Sequence, residues 1–163
     1  MSGKTHEYDV DVVWTGNHGV GTSGYASYGR DHDLSTESAP TILGSADPAF
    51  RGDPTRWNPE QLQVAALSQC HMLWYLNLAA TAGVIVTAYH DRAHGVMVQD
   101  SSGGGQFESV TLRPRVTITA DSDPNIARQV HAKVPQVCFI ARSVNFPVHH
   151  DPVITVENGD PRD

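Results

Sequence analysis

From Gln61 to His90 the chain carries no Asp, Glu, Lys or Arg, and apolar residues between Val64 and Ala82 fall on nearly every face of a helix. Such a segment must be buried, and it constrains the fold more than any other feature. Its beginning is marked by Asn58-Pro59-Glu60-Gln61. Asn58 suits the N-cap, Pro59 the first helical position, Glu60 the positive end of the helix dipole and Gln61 the closing position of a capping box. Gly83 predicts the end, after about Ala82. A helix apolar on all faces is expected to be covered on all sides. Gln63, Ser68, Gln69, His71 and Asn77 interrupt it too often for a membrane span.

The flanking segments read as short strands and helices. Tyr8 to Trp14 alternates, with Val10, Val12 and Trp14 on one face, and predicts a half-buried strand. After a Gly-rich turn, Tyr25 to Thr36, which contains Tyr28-Gly29-Arg30-Asp31, is expected to be its hairpin partner, leading toward Ile42. Residues 44–57 hold Pro48, Gly52 and Pro54 and predict an irregular surface connection. Val84 to Tyr89 is rich in β-branched residues and predicts a strand packed on the long helix. Val96 to Val98 and Phe107 to Thr119 predict two more, separated by the Ser-Ser-Gly-Gly-Gly turn at 101–105. Asp123-Pro124 opens a second helix through about Val134, with Ile126, Val130 and Val134 on one face. Pro135 is expected to break it and to start a short third helix carrying Cys138. Val153 to Val156 predicts a last strand, and residues 1–6 and 158–163 polar tails. The order of elements predicts an α+β architecture in a single domain, 1–163.

A chain of 163 residues can bury roughly 70% of the surface it exposes when unfolded, so the core needs no disulfide or metal staple. The formal net charge of −7, with no cluster of Lys and Arg, argues against a phosphate-backbone footprint and against an anionic membrane surface. The start, Met-Ser-Gly-Lys-Thr-His-Glu, lacks an apolar secretory h-region and predicts a cytoplasmic location, where thiols rest reduced.

The two cysteines therefore need another explanation. Cys70 lies mid-helix in Leu67-Ser68-Gln69-Cys70-His71-Met72, either as a small buried hydrophobe or as a reactive thiol with polar neighbours. Whether Cys138 approaches it within the Cα separation of about 4.4 to 6.8 Å that a disulfide needs is not written in the spacing. A reactive Cys70 must be held as thiolate by a cation, and the long helix offers none. Arg30 is the first candidate and Arg56 the second; either also reads as a solvated surface group. His71 points about 100° away from Cys70 around the helix.

Asn58-Pro59-Glu60-Gln61-Leu62 with Cys70 ten positions after the Glu, Cys138 far downstream and Arg30 in an early Gly-Arg-Asp stretch resembles the OsmC/Ohr family of thiol-dependent hydroperoxide reductases. The resemblance runs from about Tyr8 to Val156 and is closest from Arg56 to Val86. It implies antiparallel sheets around a long buried central helix, in an intertwined homodimer with active sites at the subunit interface. Cys70 matches the peroxidatic cysteine, Cys138 the resolving cysteine, Glu60 the acidic residue at the helix start and Arg30 the thiolate-stabilising arginine. The implied chemistry reduces organic hydroperoxides through a Cys70 sulfenic acid and a Cys70–Cys138 disulfide. It uses an external dithiol, for which a lipoylated protein is one candidate, and no bound cofactor or metal. His71 after Cys70, and Phe-Ile-Ala-Arg-Ser-Val-Asn-Phe-Pro after Cys138, depart from typical members and place the resemblance with a divergent OsmC-like branch.

Glu60 and Cys70 lie roughly 15 Å apart along a straight helix, so both can serve one site only if an arginine bridges them or a second chain supplies one of them. Two other classes compete: a small-ligand-binding or redox-sensing protein of the same fold, and a metal site from Cys70, His71, His149 and His150. The nine histidines motivate the metal site, but neither Cys-x-x-Cys nor His-x3-His spacing is present.

Overall fold

The computed structural model describes residues 3–157. The chain divides into two compact units, one through Leu62 and one from Gln63.

In the first unit, β1 (Asp11–Trp14), β2 (His32–Ser35) and β3 (Ile42–Gly44) form an antiparallel meander in chain order. The predicted hairpin is present but shorter, and β1 is exposed along its whole length rather than half-buried. Close backbone approach fixes the connection. Gly29 N–H donates to Gly16 O at 2.8 Å, Trp14 Nε1–H donates to Gly29 O at 2.8 Å, and a Cβ on Gly16 would sit 2.1 Å from Gly29 O. Only glycine fits there. Arg30 precedes β2 in this connection instead of lying in a strand. The segment after β3 is irregular, as expected, apart from a 3-10 turn at Pro48–Phe50 capped by Asp47.

Helix α1 (Pro59–Thr81) begins at the predicted capping box. Gln61 N–H donates to Asn58 Oδ1 at 2.8 Å, and Asn58 N–H donates to Gln61 Oε1 at 3.2 Å. Gly83, with φ of 76°, takes the left-handed conformation that ends the helix. Asn58 is buried, so Asn58→Ala is expected to cost about 1 kcal/mol of stability, read as a lower urea midpoint at unchanged m-value.

In the second unit α1 packs on two three-stranded sheets. One has the order β4 (Val86–Asp91), β7 (Pro114–Ile118), β9 (Val153–Val156); the other β5 (His94–Gln99), β6 (Gly105–Leu112), β8 (Val148–His150). Both are mixed rather than antiparallel: β4–β7 and β5–β6 are antiparallel, but β7–β9 and β6–β8 are parallel. Parallel neighbours need a long crossover, and helix α2 (Pro124–Lys133) with the turns after it supplies one. Pro114 opens β7, so the run predicted over Phe107 to Thr119 is two strands.

The larger core cluster joins Tyr75 and Ala79 of α1, Val116 and Ile118 of β7, and Ala127, Val130 and Val134 of α2 and its end. Leu67, Val110 and Leu112 form a second. The long helix is not buried all round: Gln69, Leu73 and Asn77 form an exposed stripe opposite Leu67, His71, Tyr75 and Ala79. Leu73, 59% exposed, is the apolar member of that stripe. No helix among the described residues is long and apolar enough to cross a membrane. The predicted tail at 158–163 lies outside the described residues.

Candidate functional site

Cys70 stands at the boundary between the exposed and buried faces of α1 and is 9% exposed; Cys138 is 1% exposed. The predicted third helix is absent. Cys138 lies between two 3-10 turns, Val134–Gln136 and Ala141–Ser143, because Pro135 interrupts the helical ladder. Its backbone N–H donates to Val134 O at 2.9 Å and its carbonyl accepts from Arg142 N–H at 3.1 Å, so the turn is fixed on both sides.

The two sulfurs, 68 residues apart in sequence, are 2.9 Å apart as free thiols, with Cys138 Sγ–H donating to Cys70 Sγ. Burial first, then this hydrogen bond, pushes the Cys138 thiol up to about 11. Cys138 is thus the thiol that keeps its proton. Trp74, one helical turn from Cys70, meets Phe139 edge-on at 5.6 Å; Trp74 is half-buried and Phe139 66% exposed.

The other expected site residues belong to the first unit. Arg30 lies over Tyr25 and Tyr28, 4.5 and 4.1 Å from the ring centroids, and donates from Nη1 to Tyr28 O and from Nη2 to Tyr25 O. Among the described residues it makes no ion pair. Arg56 differs: its guanidinium lies 3.5 Å from Asp31 and 3.6 Å from Asp33, so two carboxylates offset its charge. Glu60 stands in the first turn of α1 with Oε2 buried and, among the described residues, without a hydrogen-bond partner.

A histidine assembly lies next to Cys70; His71 and His150 were grouped in the metal-site reading, and His131 is the member that sequence reasoning missed. His71 Nε2 and His131 Nδ1 are 3.0 Å apart, His150 stacks on His71 at 4.5 Å, and Tyr75 stacks on His131 at 3.9 Å. His71 and His131 are buried at 1% and 2% exposure. Desolvation, then the neighbouring imidazoles, lowers His71 to about 3; desolvation, then His150, lowers His131 to about 4. The signal for His131 was available: it follows buried Ala127 by one turn on the apolar face of α2. A metal site from Cys70, His71, His149 and His150 does not form. His149 is exposed, His71 is spent on other imidazoles, and among the described residues no three His, Cys, Asp or Glu side chains could hold an ion.

A mixed-sheet α+β fold with a long helix presenting one thiol to a second thiol in a turn defines a class of two-cysteine proteins. The chain belongs to the OsmC-like protein family, whose pattern matches residues 52–152. It is similar to an OsmC-like protein of unknown function from Vibrio cholerae O1 biovar eltor, at 31% identity over 91% of this chain and 100% of that one, with a TM-score of 0.82. An organic hydroperoxide resistance protein from Elizabethkingia anophelis shares the fold at 16% identity, covering 94% of this chain and 100% of its own, with a TM-score of 0.65. The organic hydroperoxide resistance protein OhrB of Bacillus subtilis shares it at 17% identity over 91% and 98%, with a TM-score of 0.57. No curated protein matches the chain.

Proposed function

We propose that the chain is a thiol-dependent peroxidase that reduces organic hydroperoxides to alcohols. The observation that carries this reading is the pair of free thiols, 2.9 Å apart in a buried setting. Cys70 thiolate attacks the distal peroxide oxygen; the O–O bond breaks, the alkoxide takes a proton and leaves as alcohol, and Cys70 becomes a sulfenic acid. Cys138 sulfur then attacks Cys70 sulfur. The Cys138 proton leaves with the hydroxide as water, and a disulfide remains. An external dithiol, a lipoylated protein among the candidates, restores both thiols by exchange.

Arg30 is the cation assigned to the thiolate, because among the described residues its charge meets no carboxylate whereas that of Arg56 meets two. Glu60, with a carboxylate oxygen unpartnered among the described residues, is assigned to orient it. A second copy of the chain completes this arrangement as a homodimer, supported by the exposure of Leu73 at 59% and Phe139 at 66%. Those side chains with Trp74 favour an organic peroxide over hydrogen peroxide. The reaction belongs in the cytoplasm, where a thiol-disulfide cycle can be reset.

Reduced protein treated with cumene hydroperoxide is expected to consume one equivalent, lose both titratable thiols and yield a 70–138 linked peptide by mass spectrometry. Both thiols still titratable after excess peroxide would leave a ligand-binding role instead.

A further inference from the structure

Helices α1 and α2 are joined by two polar rungs, each made from residues one helical turn apart. His71 meets His131 through ring nitrogens at 3.0 Å, and Tyr75 Oη–H donates to Ala127 O at 3.3 Å. Residues 71 and 75 ascend α1 while 131 and 127 descend α2, so the rungs run antiparallel. His131 also stacks on Tyr75, which ties one rung to the other.

The tautomers follow from satisfaction of the polar atoms. His131 Nε2 is buried without a partner among the described residues. A bare lone pair there costs less than an orphaned N–H, so the proton sits on His131 Nδ1, which donates to His71 Nε2. Both rings are neutral, so the rung is an ordinary hydrogen bond with no charge to repel across it.

The rungs lie beside the thiols. Cys70 adjoins His71 on α1. Seven residues after His131, Cys138 hangs from the end of α2 through its hydrogen bond to Val134. The separation of the sulfurs is therefore set by how α2 is held against α1.

We propose that the His71–His131 and Tyr75–Ala127 rungs are a positioning device that sets the effective concentration of the Cys138 thiol at Cys70. His71, His131 and Tyr75 act through the cysteines and touch no substrate. The inference rests on the thiol pair alone and holds whether the physiological oxidant is a peroxide or a disulfide.

The test is equilibration of the full chain with reduced and oxidised glutathione. Cys70 thiolate attacks one glutathione sulfur and expels the other as thiolate; Cys138 then displaces the second glutathione. Two electrons pass to glutathione disulfide, and the protons of the two protein thiols end on two glutathione thiols. The equilibrium constant is the effective concentration of the pair.

His131→Phe keeps the ring stack and removes the donor, and is expected to lower that constant about tenfold. His131→Asn places an amide N–H where Nδ1 was and should recover most of the loss. Tyr75→Phe removes only a hydroxyl and should lower the constant about threefold. A constant within about twofold of wild type in folded His131→Phe, or in Tyr75→Phe should His131→Phe not fold, overturns the proposal. A separate absence of peroxide turnover in the wild type would remove the peroxidase reading and leave this result standing.

Discussion

Cys70→Ser is expected to reduce peroxide consumption to the uncatalysed background, a loss of more than about 10³-fold or about 4 kcal/mol in transition-state stabilisation. The attacking group must be an anion at neutral pH, and a hydroxyl at the position of Cys70 is neither ionised nor comparably nucleophilic. Cys138 cannot take over. Its thiol is pushed up to about 11 and is 1% exposed, so it is protonated and shielded from a bulky peroxide. Cys138→Ser gives the opposite pattern. The first oxidation should persist within a few-fold of wild type, but the sulfenic acid has no thiol 2.9 Å away and should proceed to sulfinic acid as peroxide rises. Stopped-flow oxidation with cumene hydroperoxide followed by intact mass measurement separates the two. Equal peroxide consumption by wild type and Cys70→Ser would remove the assignment of Cys70.

The contrast between the two cysteines shows what could be read from the chain and what could not. Helix α1 was legible almost to the residue, because Asn58, Gln61 and Gly83 are local signals that act within one turn of the backbone they terminate. Its covering was not. An apolar residue on every face states that burial is wanted, not which side this chain supplies, and Leu73 remains 59% exposed. Cys138 was expected on a helix, but the proline before it produces 3-10 turns. Strand β8 was missed because its three residues, Val148–His150, carry no alternation to detect, and its parallel pairing with β6 is set by the tertiary fold. The approach of the thiols over 68 residues is likewise a product of packing; only family resemblance suggested it. The histidine assembly escaped for the same reason. His71 is single on α1 and His131 on α2, while His150 follows His149 on β8, and the three rings meet only in the folded unit.

That meeting makes the fold sensitive to acid in a definite window. His71 and His131 have folded pKa values lowered to about 3 and about 4, below the ordinary value of 6.5. Above pH 6.5 both are neutral in the folded and the unfolded chain, and their contribution to stability is fully present. As the pH falls below 6.5 the unfolded chain binds a proton at each ring while the folded chain does not, so stability drops down to the folded pKa values. Between pH 7 and pH 5 each ring should cost about 2 kcal/mol, about 4 kcal/mol for the pair, a large fraction of a domain's stability. His150, lowered chiefly by burial and opposed by Asp91, should add in the same direction. Most carboxylates remain ionised over this interval, so they do not mask the effect. Urea unfolding at pH 7 and pH 5 measures it, and His131→Phe should remove about half of the slope. A free energy of unfolding that changes by less than about 1 kcal/mol across that interval would mean that the rings accept protons in place, and with them the His71–His131 hydrogen bond could not stand as described.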